Sequence, residues 1–331
     1  MQTRTLGRTG REVSVIGLGT WQLGADWGDV SEADATAVLD ASAEAGVTFF
    51  DTADVYGDGR SEQIIGGWRR ANPEAPLTVG TKMGRRLEQV PSNYVRDNFV
   101  AWTDRSRTNL GVDTLDLVQL HCPPTEVLED DATYDALDEL VQRGAIAAYG
   151  VSVETTAQAL TAIARPGVAT VQIILNAFRL KPLDEVLPAA RRAGVGIVVR
   201  VPLASGLLSG KYTAETTFAA DDHRTFNRHG EAFDQGETFS GVDFADGVQA
   251  ARAFAAALPE GISVPQAALA WIVAQDGVTA AIPGARNPEQ ARSNAGAPDL
   301  VDGGALDLGA LDSTVHELYD RWFRATVHDR W

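Results

Sequence analysis

Four side chains of different chemistry stand at or just beyond the ends of short apolar runs. Asp51 and Tyr56 occur in Val47-Thr48-Phe49-Phe50-Asp51-Thr52-Ala53-Asp54-Val55-Tyr56-Gly57, Lys82 ends Leu77-Thr78-Val79-Gly80-Thr81-Lys82, and His121 ends Leu115-Asp116-Leu117-Val118-Gln119-Leu120-His121. A phenol, an ammonium, a carboxylate and an imidazole together make a proton-transfer site. A free phenol has a pKa near ~10 and releases its proton sluggishly unless a neighbouring cation lowers that value. Lys82 supplies the cation, and Asp51 is the partner that holds a buried lysine charged. His121 either donates a hydrogen bond to a substrate oxygen or relays the proton. Each residue alone has a plainer explanation: a turn cap, a packed ring, a snorkelling lysine, a core histidine. Their common position at strand ends favours one shared site.

That position requires parallel strands. A helical pattern lies between successive apolar runs, so the strand ends share one face, and in an α/β barrel that face carries the chemistry. Thr3 to Ser14 reads as a hairpin around Gly7-Arg8-Thr9-Gly10 that plugs the barrel floor. Barrel strands follow at Val15 to Gly19, from Val47, at Leu77 to Lys82, Thr114 to His121, Ala147 to Val153, Thr170 to Asn176, Gly196 to Val201 and Val278 to Pro283. Helices are expected at Ala33 to Ala45 behind the cap Ser31, and at Ser61 to Arg70, Ser92 to Asn109, Asp131 to Arg143, Thr155 to Ala164, Asp184 to Arg192, Val264 to Gln275 and Pro288 to Ala295. Eight such units close a (β/α)8 TIM barrel of the α/β class, which takes about 250 residues before insertions. The 331 residues therefore suit one barrel domain, 1–331, with extra loops. Ser205 to Asp243, after the seventh barrel strand, lacks periodicity but carries Phe218, Phe226, Phe233 and Phe239, which favours a folded lid over a disordered insertion. Leu311 to Arg324 reads as a closing helix and Ala325 to Trp331 as a tail.

Composition removes several functional classes. The net charge of −17 argues against non-specific nucleic-acid binding, and no stretch approaches the roughly 20 apolar residues of a membrane span. The single cysteine, Cys122, excludes an intrachain disulfide and agrees with a cytoplasmic location, as does the missing signal-peptide core behind Met1 to Arg8. No Gly-x-Ser-x-Gly elbow is present. The histidines other than His121 (His223, His229, His316 and His328) have no cysteine or histidine at metal-ligand spacing, so no metal is expected. Cys122, before Pro123-Pro124, reads as a small buried thiol.

Several ordered motifs make the chain similar to the aldo-keto reductase superfamily: Gly17-Leu18-Gly19-Thr20-Trp21, Phe50-Asp51-Thr52-Ala53-Asp54-Val55-Tyr56-Gly57, Leu117-Val118-Gln119-Leu120-His121, Tyr149-Gly150-Val151-Ser152 and Ile282-Pro283-Gly284-Ala285-Arg286. The resemblance implies reduction of aldehyde or ketone carbonyls by hydride transfer, with Asp51, Tyr56, Lys82 and His121 as the catalytic tetrad. It implies NADPH as cofactor, with NADH possible, although neither a Rossmann glycine turn nor a Walker motif is present. Asn287 caps a helix start with Pro288 behind it and Gln290 completing a capping box. Such a start attracts phosphate, and Arg286 beside it suits the 2′-phosphate. The same resemblance adds Gln290 and Asn294 at the adenosine phosphate, Ser152 and Gln172 at the nicotinamide amide, and Pro202, Leu203, Gly206, Leu208 and Lys211 along the pyrophosphate. Gly19, Thr20, Trp21, Asp51, Pro283 and Gly284 complete the cofactor site, and Trp21, Tyr56 and His121 line the substrate pocket.

Two positions depart from the family pattern. Val153 stands where an asparagine is usual, and Arg200 replaces the aromatic that commonly stacks on the nicotinamide. A guanidinium stacks too, but its positive charge would raise the cofactor's reduction potential. Two alternatives therefore stay open, an NAD-dependent aldose dehydrogenase working oxidatively and a non-catalytic nucleotide-binding subunit like those of potassium channels. The expected partner is a small carbonyl or alcohol, with no nucleic acid and no membrane; the sequence leaves the oligomeric state open.

Overall fold

The computed structural model describes residues 1–24 and 30–331. A two-stranded antiparallel hairpin, β1 (Thr3–Thr5) and β2 (Glu12–Ser14), precedes eight parallel strands: β3 (Leu18–Gly19), β4 (Phe49–Asp51), β5 (Thr78–Met83), β6 (Leu117–His121), β7 (Tyr149–Ser152), β8 (Val168–Ile174), β9 (Gly196–Arg200) and β10 (Val278–Ala281). Each pairs with its neighbour in sequence order. Parallel bridges from Ile16 to Ala281 and from Gly19 to Gly284 join the last strand to the first, so the sheet closes into the expected barrel. Helices on the outside cover it, as crossovers between parallel strands require.

Side-chain alternation divides each strand between lumen and shell. The lumen's lower layer is apolar: Leu6 and Val13 from the hairpin pack with Phe49, Leu117, Val198, Ala280 and Ile282, apart from the larger core beneath the helices. The hairpin thus plugs the floor. Gly7 allows the close approach, because it has φ +51° and a Cβ there would strike the backbone of Ala169 and Gly196. Helix starts follow local chemistry. Ser31 accepts from the Asp34 amide ahead of Glu32–Glu44, and Thr155 with Gln158 forms a capping box ahead of Thr156–Ile163.

Several elements differ from the sequence reading, including unexpected short helices at Thr125–Glu129 and Asp299–Asp302. The helix expected from Ser92 is split, with a short turn at Pro91–Asn93 and the helix proper at Arg96–Leu110. A 13-residue helix at Phe244–Ala256 was not anticipated; the Asp243 carboxylate caps it by accepting from the Ala245 and Asp246 amides. The last residues are no loose tail. They form turns at Arg324–Val327 and His328–Arg330, and the Trp331 ring lies buried under the Arg179 guanidinium at 4.2 Å.

The segment after β9 packs its rings against the main core. Tyr212, Phe218, Phe239 and Phe244 form successive ring contacts, with centroids 5.3 Å apart for Tyr212–Phe218, 5.8 Å for Phe218–Phe239 and 5.0 Å for Phe239–Phe244. The Arg228 guanidinium covers both Phe239 and Phe244. Phe226 is the exposed member of the four phenylalanines. Among the described residues no helix is long and apolar enough to cross a membrane.

Gly7→Ala should destabilise the fold by more than Gly10→Ala. Both glycines have positive φ, a conformation that costs an L residue about 1–2 kcal/mol, but nothing lies within 4 Å of a Cβ at Gly10. Thermal unfolding of the two variants checks this. Equal losses would show that the hairpin does not press on the barrel floor.

Candidate active site

Above the apolar floor the lumen turns polar. Asp51, at the end of β4, Lys82 on β5 and Gln119 on β6 lie on paired strands, and Gln172 comes from β8. Lys82 Nζ is 2.5 Å from Asp51 Oδ1 and also donates to the Thr52 carbonyl at 2.9 Å and to the Tyr56 hydroxyl at 3.4 Å. Gln172 and Gln119 donate to the other Asp51 oxygen at 2.7 and 3.4 Å. The pair's side chains are 1% and 4% exposed, so it is fully desolvated, a state stable only because these extra hydrogen bonds serve the remaining lone pair and protons.

Tyr56 stands over the pair. Its ring stacks on Trp21 with centroids 6.0 Å apart and meets His121 edge-on at 6.0 Å. The expected lowering of the phenol pKa by Lys82 is outweighed. Burial pushes the phenol up, Lys82 pulls it down and Asp51 opposes Lys82, leaving the value above that of a free phenol. Tyr56 therefore keeps its proton at neutral pH and is available as a donor. Lys82 stays charged, since Asp51 and Tyr56 overcome the effect of burial. His121 is driven well below the ordinary imidazole range by burial and by Arg85, Lys82 and Arg200. It is a neutral ring, with its Nδ1 buried and unpartnered.

These groups open into a cavity of about 810 Å³ on the strands' C-terminal side. Of the positions expected from sequence, Gly19, Thr20, Trp21, Asp51, Tyr56, His121, Gln172, Arg200, Pro202, Leu203, Gly206, Lys211, Pro283, Gly284, Arg286, Gln290 and Asn294 line it. Three do not. Lys82 lies beneath Tyr56 and Asp51. Ser152 is fully buried with its hydroxyl 3.5 Å from the Cys122 sulfur, and Leu208 is fully buried core, because the turn Ala204–Ser209 directs it inward. The far end is donor-rich. Asn287 caps the helix Pro288–Ala295, and the Gln290 side chain accepts from the Arg286 amide, not from Asn287 as a capping box would have it. Between the two ends, Val201, Ala204, Ser205 and Gly206 all have positive φ, a run of strained backbone at the cavity wall. A second hollow of about 540 Å³ lies on the opposite face beside Arg4, Arg191 and Asp276, away from these groups.

Several contributors were not foreseen. Gln119 lies two residues before His121 on the same strand, so strand periodicity alone could have placed it on the lumen face. His223 and Phe233 come from the long segment and pack against Trp21 at 5.3 and 6.0 Å, completing an aromatic wall. Nothing in their local sequence marks them. The charge that the sequence shows at Arg200 is paired: its Nη1 is 2.9 Å from Glu237 Oε1, and its Nη2 donates to the Val153 carbonyl at 3.2 Å. Cys122, Glu154 and Glu237 gather at this point, but Arg85 and Arg200 pair with the carboxylates, and burial keeps the Cys122 thiol protonated. The cluster is charge-balanced without a metal ion.

The chain matches the Aldo/keto reductase family over residues 15–302 and belongs to that family. It is an oxidoreductase of this class. Among its relatives, the aldo-keto reductase YhdN of Bacillus subtilis is 32% identical over 295 residues, covering 88% of this chain and 86% of its own. The Schizosaccharomyces pombe aldo-keto reductase yakc [NADP(+)] is 28% identical over 98% of this chain and 92% of its own. Among solved structures, a glycerol dehydrogenase from Gluconobacter oxydans superposes with a TM-score of 0.75 at 29% identity, covering 94% of this chain and 93% of its own.

Two outcomes follow for the buried charges. Lys82→Met leaves Asp51 charged and deprived of its main partner, which should cost about 3–5 kcal/mol in urea unfolding, while Asp51→Asn/Lys82→Met should recover much of that loss. Equal losses would show that the uncompensated charge is not the cause. Asp54, fully buried, has its pKa raised to about 7 by burial and by Glu62, which outweigh Arg86, Arg105 and the Val55 amide. A carboxyl whose folded pKa exceeds its unfolded one stabilises fully below the unfolded value and loses that contribution as pH rises through about 7. Asp54→Asn should therefore stabilise the protein more at pH 8 than at pH 5. A pH-independent effect would refute the assignment.

Proposed function

We propose that this protein reduces aldehyde or ketone carbonyls with NADPH, Tyr56 acting as general acid. One observation carries the reading: a protonated phenol, hydrogen-bonded to an ammonium that a carboxylate fixes, faces a cavity large enough for a dinucleotide and a small substrate. NADPH supplies the hydride. The residues fit it, since the cavity joins the proton donor at one end to Arg286 and a capped helix N-terminus at the other, where phosphate is favoured. The NADP(+) in the name of the S. pombe relative supports the same cofactor.

On this reading His121, as a neutral imidazole, donates a hydrogen bond that fixes the substrate oxygen beside Tyr56. The Tyr56 hydroxyl releases its proton to that oxygen as negative charge develops there, and the Lys82 ammonium stabilises the phenolate left behind. Asp51 acts through Lys82 by keeping it charged and in place. Trp21 and His223 line the cavity, and Phe233 packs behind them against both rings. Arg286 grips the 2′-phosphate, with Lys211 along the pyrophosphate. The substrates are small carbonyls or alcohols, and the enzyme works in the cytoplasm as a one-domain barrel. Alcohol oxidation on the same tetrad is the second reading, favoured by the likeness to a glycerol dehydrogenase.

Tyr56→Phe should lower kcat for carbonyl reduction by about 10² to 10⁴, the contribution of general acid catalysis, and leave the NADPH dissociation constant within about twofold. Steady-state assays over a carbonyl panel, with fluorescence titration of NADPH, measure both. Full turnover in the variant would sink the mechanism.

A further inference from the structure

Arg200 closes β9 at the cavity floor, and its counter-ion arrives from 37 positions further along the chain. Glu237 belongs to the turn Gln235–Glu237 of the long segment, and its side chain is 11% exposed. Its Oε1 lies 2.9 Å from Arg200 and 3.8 Å from Arg85. The placement is held from the backbone: Ser205 Oγ donates to the Glu237 carbonyl at 2.5 Å and accepts from the Phe239 amide at 3.1 Å. Burial pushes the Glu237 carboxyl up, but Arg200, Arg85, His223 and Lys82 outweigh it, so the group is ionised. Glu237 and Arg200 line the same end of the cavity as Tyr56, His121, Asp51 and Gln172.

We infer that Glu237 is a positioning residue that holds Arg200 as a charge-neutral pair beside the nicotinamide ring and thereby sets the protein's relative affinity for oxidised and reduced cofactor. The inference rests on the cofactor reading above. A ring that delivers hydride to a carbonyl held by Tyr56 and His121 must lie at this end of the cavity. The oxidised ring is positively charged and the reduced ring is neutral. A guanidinium alone would repel the oxidised form, and a carboxylate alone would attract it. Paired at 2.9 Å, the two cancel. The long segment, by delivering Glu237, thus contributes to the cofactor's redox balance as well as to the cavity wall.

Binding of NADP+ and NADPH to the full chain, measured separately by equilibrium titration, tests this. Glu237→Gln bares the guanidinium and should raise the ratio of the NADP+ to the NADPH dissociation constant at least about fivefold, the scale of a unit charge acting at about 4 Å in water, and up to about 10³-fold at an effective dielectric of about 20. Arg200→Gln should move the ratio the other way, with Arg85 still holding Glu237 charged. Arg200→Gln/Glu237→Gln, again neutral, should return it near the parent's value. A loss of packing alone would weaken both cofactors together and leave the ratio unmoved. Ratios within twofold of the parent in both single variants overturn the inference alone. A parent chain that binds neither dinucleotide overturns the cofactor reading, and the inference with it.

Discussion

The rest of the structure is arranged around a lysine and an aspartate that sit out of water. Burying either charge costs several kcal/mol, and their mutual attraction offsets that only with good geometry and further hydrogen bonds. Those bonds come from four separate places: Gln119 on β6, Gln172 on β8, the Thr52 carbonyl just past β4, and Tyr56. Each depends on strand register. Asp51 pairs across to Gly80, Lys82 to Gln119, His121 to Ser152 and Ser152 to Gln172. Because side chains alternate, a slip of one residue in β5 would send Lys82 to the helix shell and leave Asp51 as an unpaired charge. The polar layer therefore specifies register from above, while Leu6 and Val13 fill the lumen from below.

Strain gathers on the same side as the chemistry. Asp58, Cys122, Val201, Ala204 and Ser205 are non-glycine residues with positive φ, all on loops beyond the strands' C-terminal ends. Such conformations cost about 1–3 kcal/mol each and persist only where the surroundings over-determine them. Cys122 is fixed by its amide donating to the Ser152 carbonyl, and Ser205 by its exchange with Glu237 and Phe239. The barrel's packing thus supports a mouth whose backbone is individually unfavourable.

Much of this was legible in the sequence because it rests on periodic or local signals. Apolar runs ending in Asp51, Lys82 and His121 revealed the strands and their shared face, and Ser31, Thr155 and Asn287 marked helix starts. What escaped has a physical reason. Glu237 and His223 lie in a segment without periodicity and reach the cavity through tertiary packing alone. The helix at Phe244–Ala256 escaped although Asp243, the last residue of the irregular segment, could have signalled its start. The sequence names Lys82 as a neighbour of Tyr56 but does not reveal how deeply the phenol is buried, and burial decides the sign of its shift. Arg200 shows its charge in the sequence, but its neutralisation depends on a residue 37 positions away.

The division of labour along the chain has a consequence for how such a site diversifies. On the proposed reading the proton donor and its partners come from residues 51 to 121, with Asp51, Lys82 and His121 on strands whose register the buried ion pair enforces and Tyr56 just beyond one. Substitutions there disturb stability and catalysis together. His223, Phe233 and the counter-ion of Arg200 come from the segment after β9, whose rings at Tyr212, Phe218 and Phe239 pack with Phe244 against the main core. Changes at His223, Phe233 or Glu237 reshape the pocket or its charge while the barrel stays intact. On the proposed reading, the acid and one side of the pocket are therefore built from distant parts of the chain.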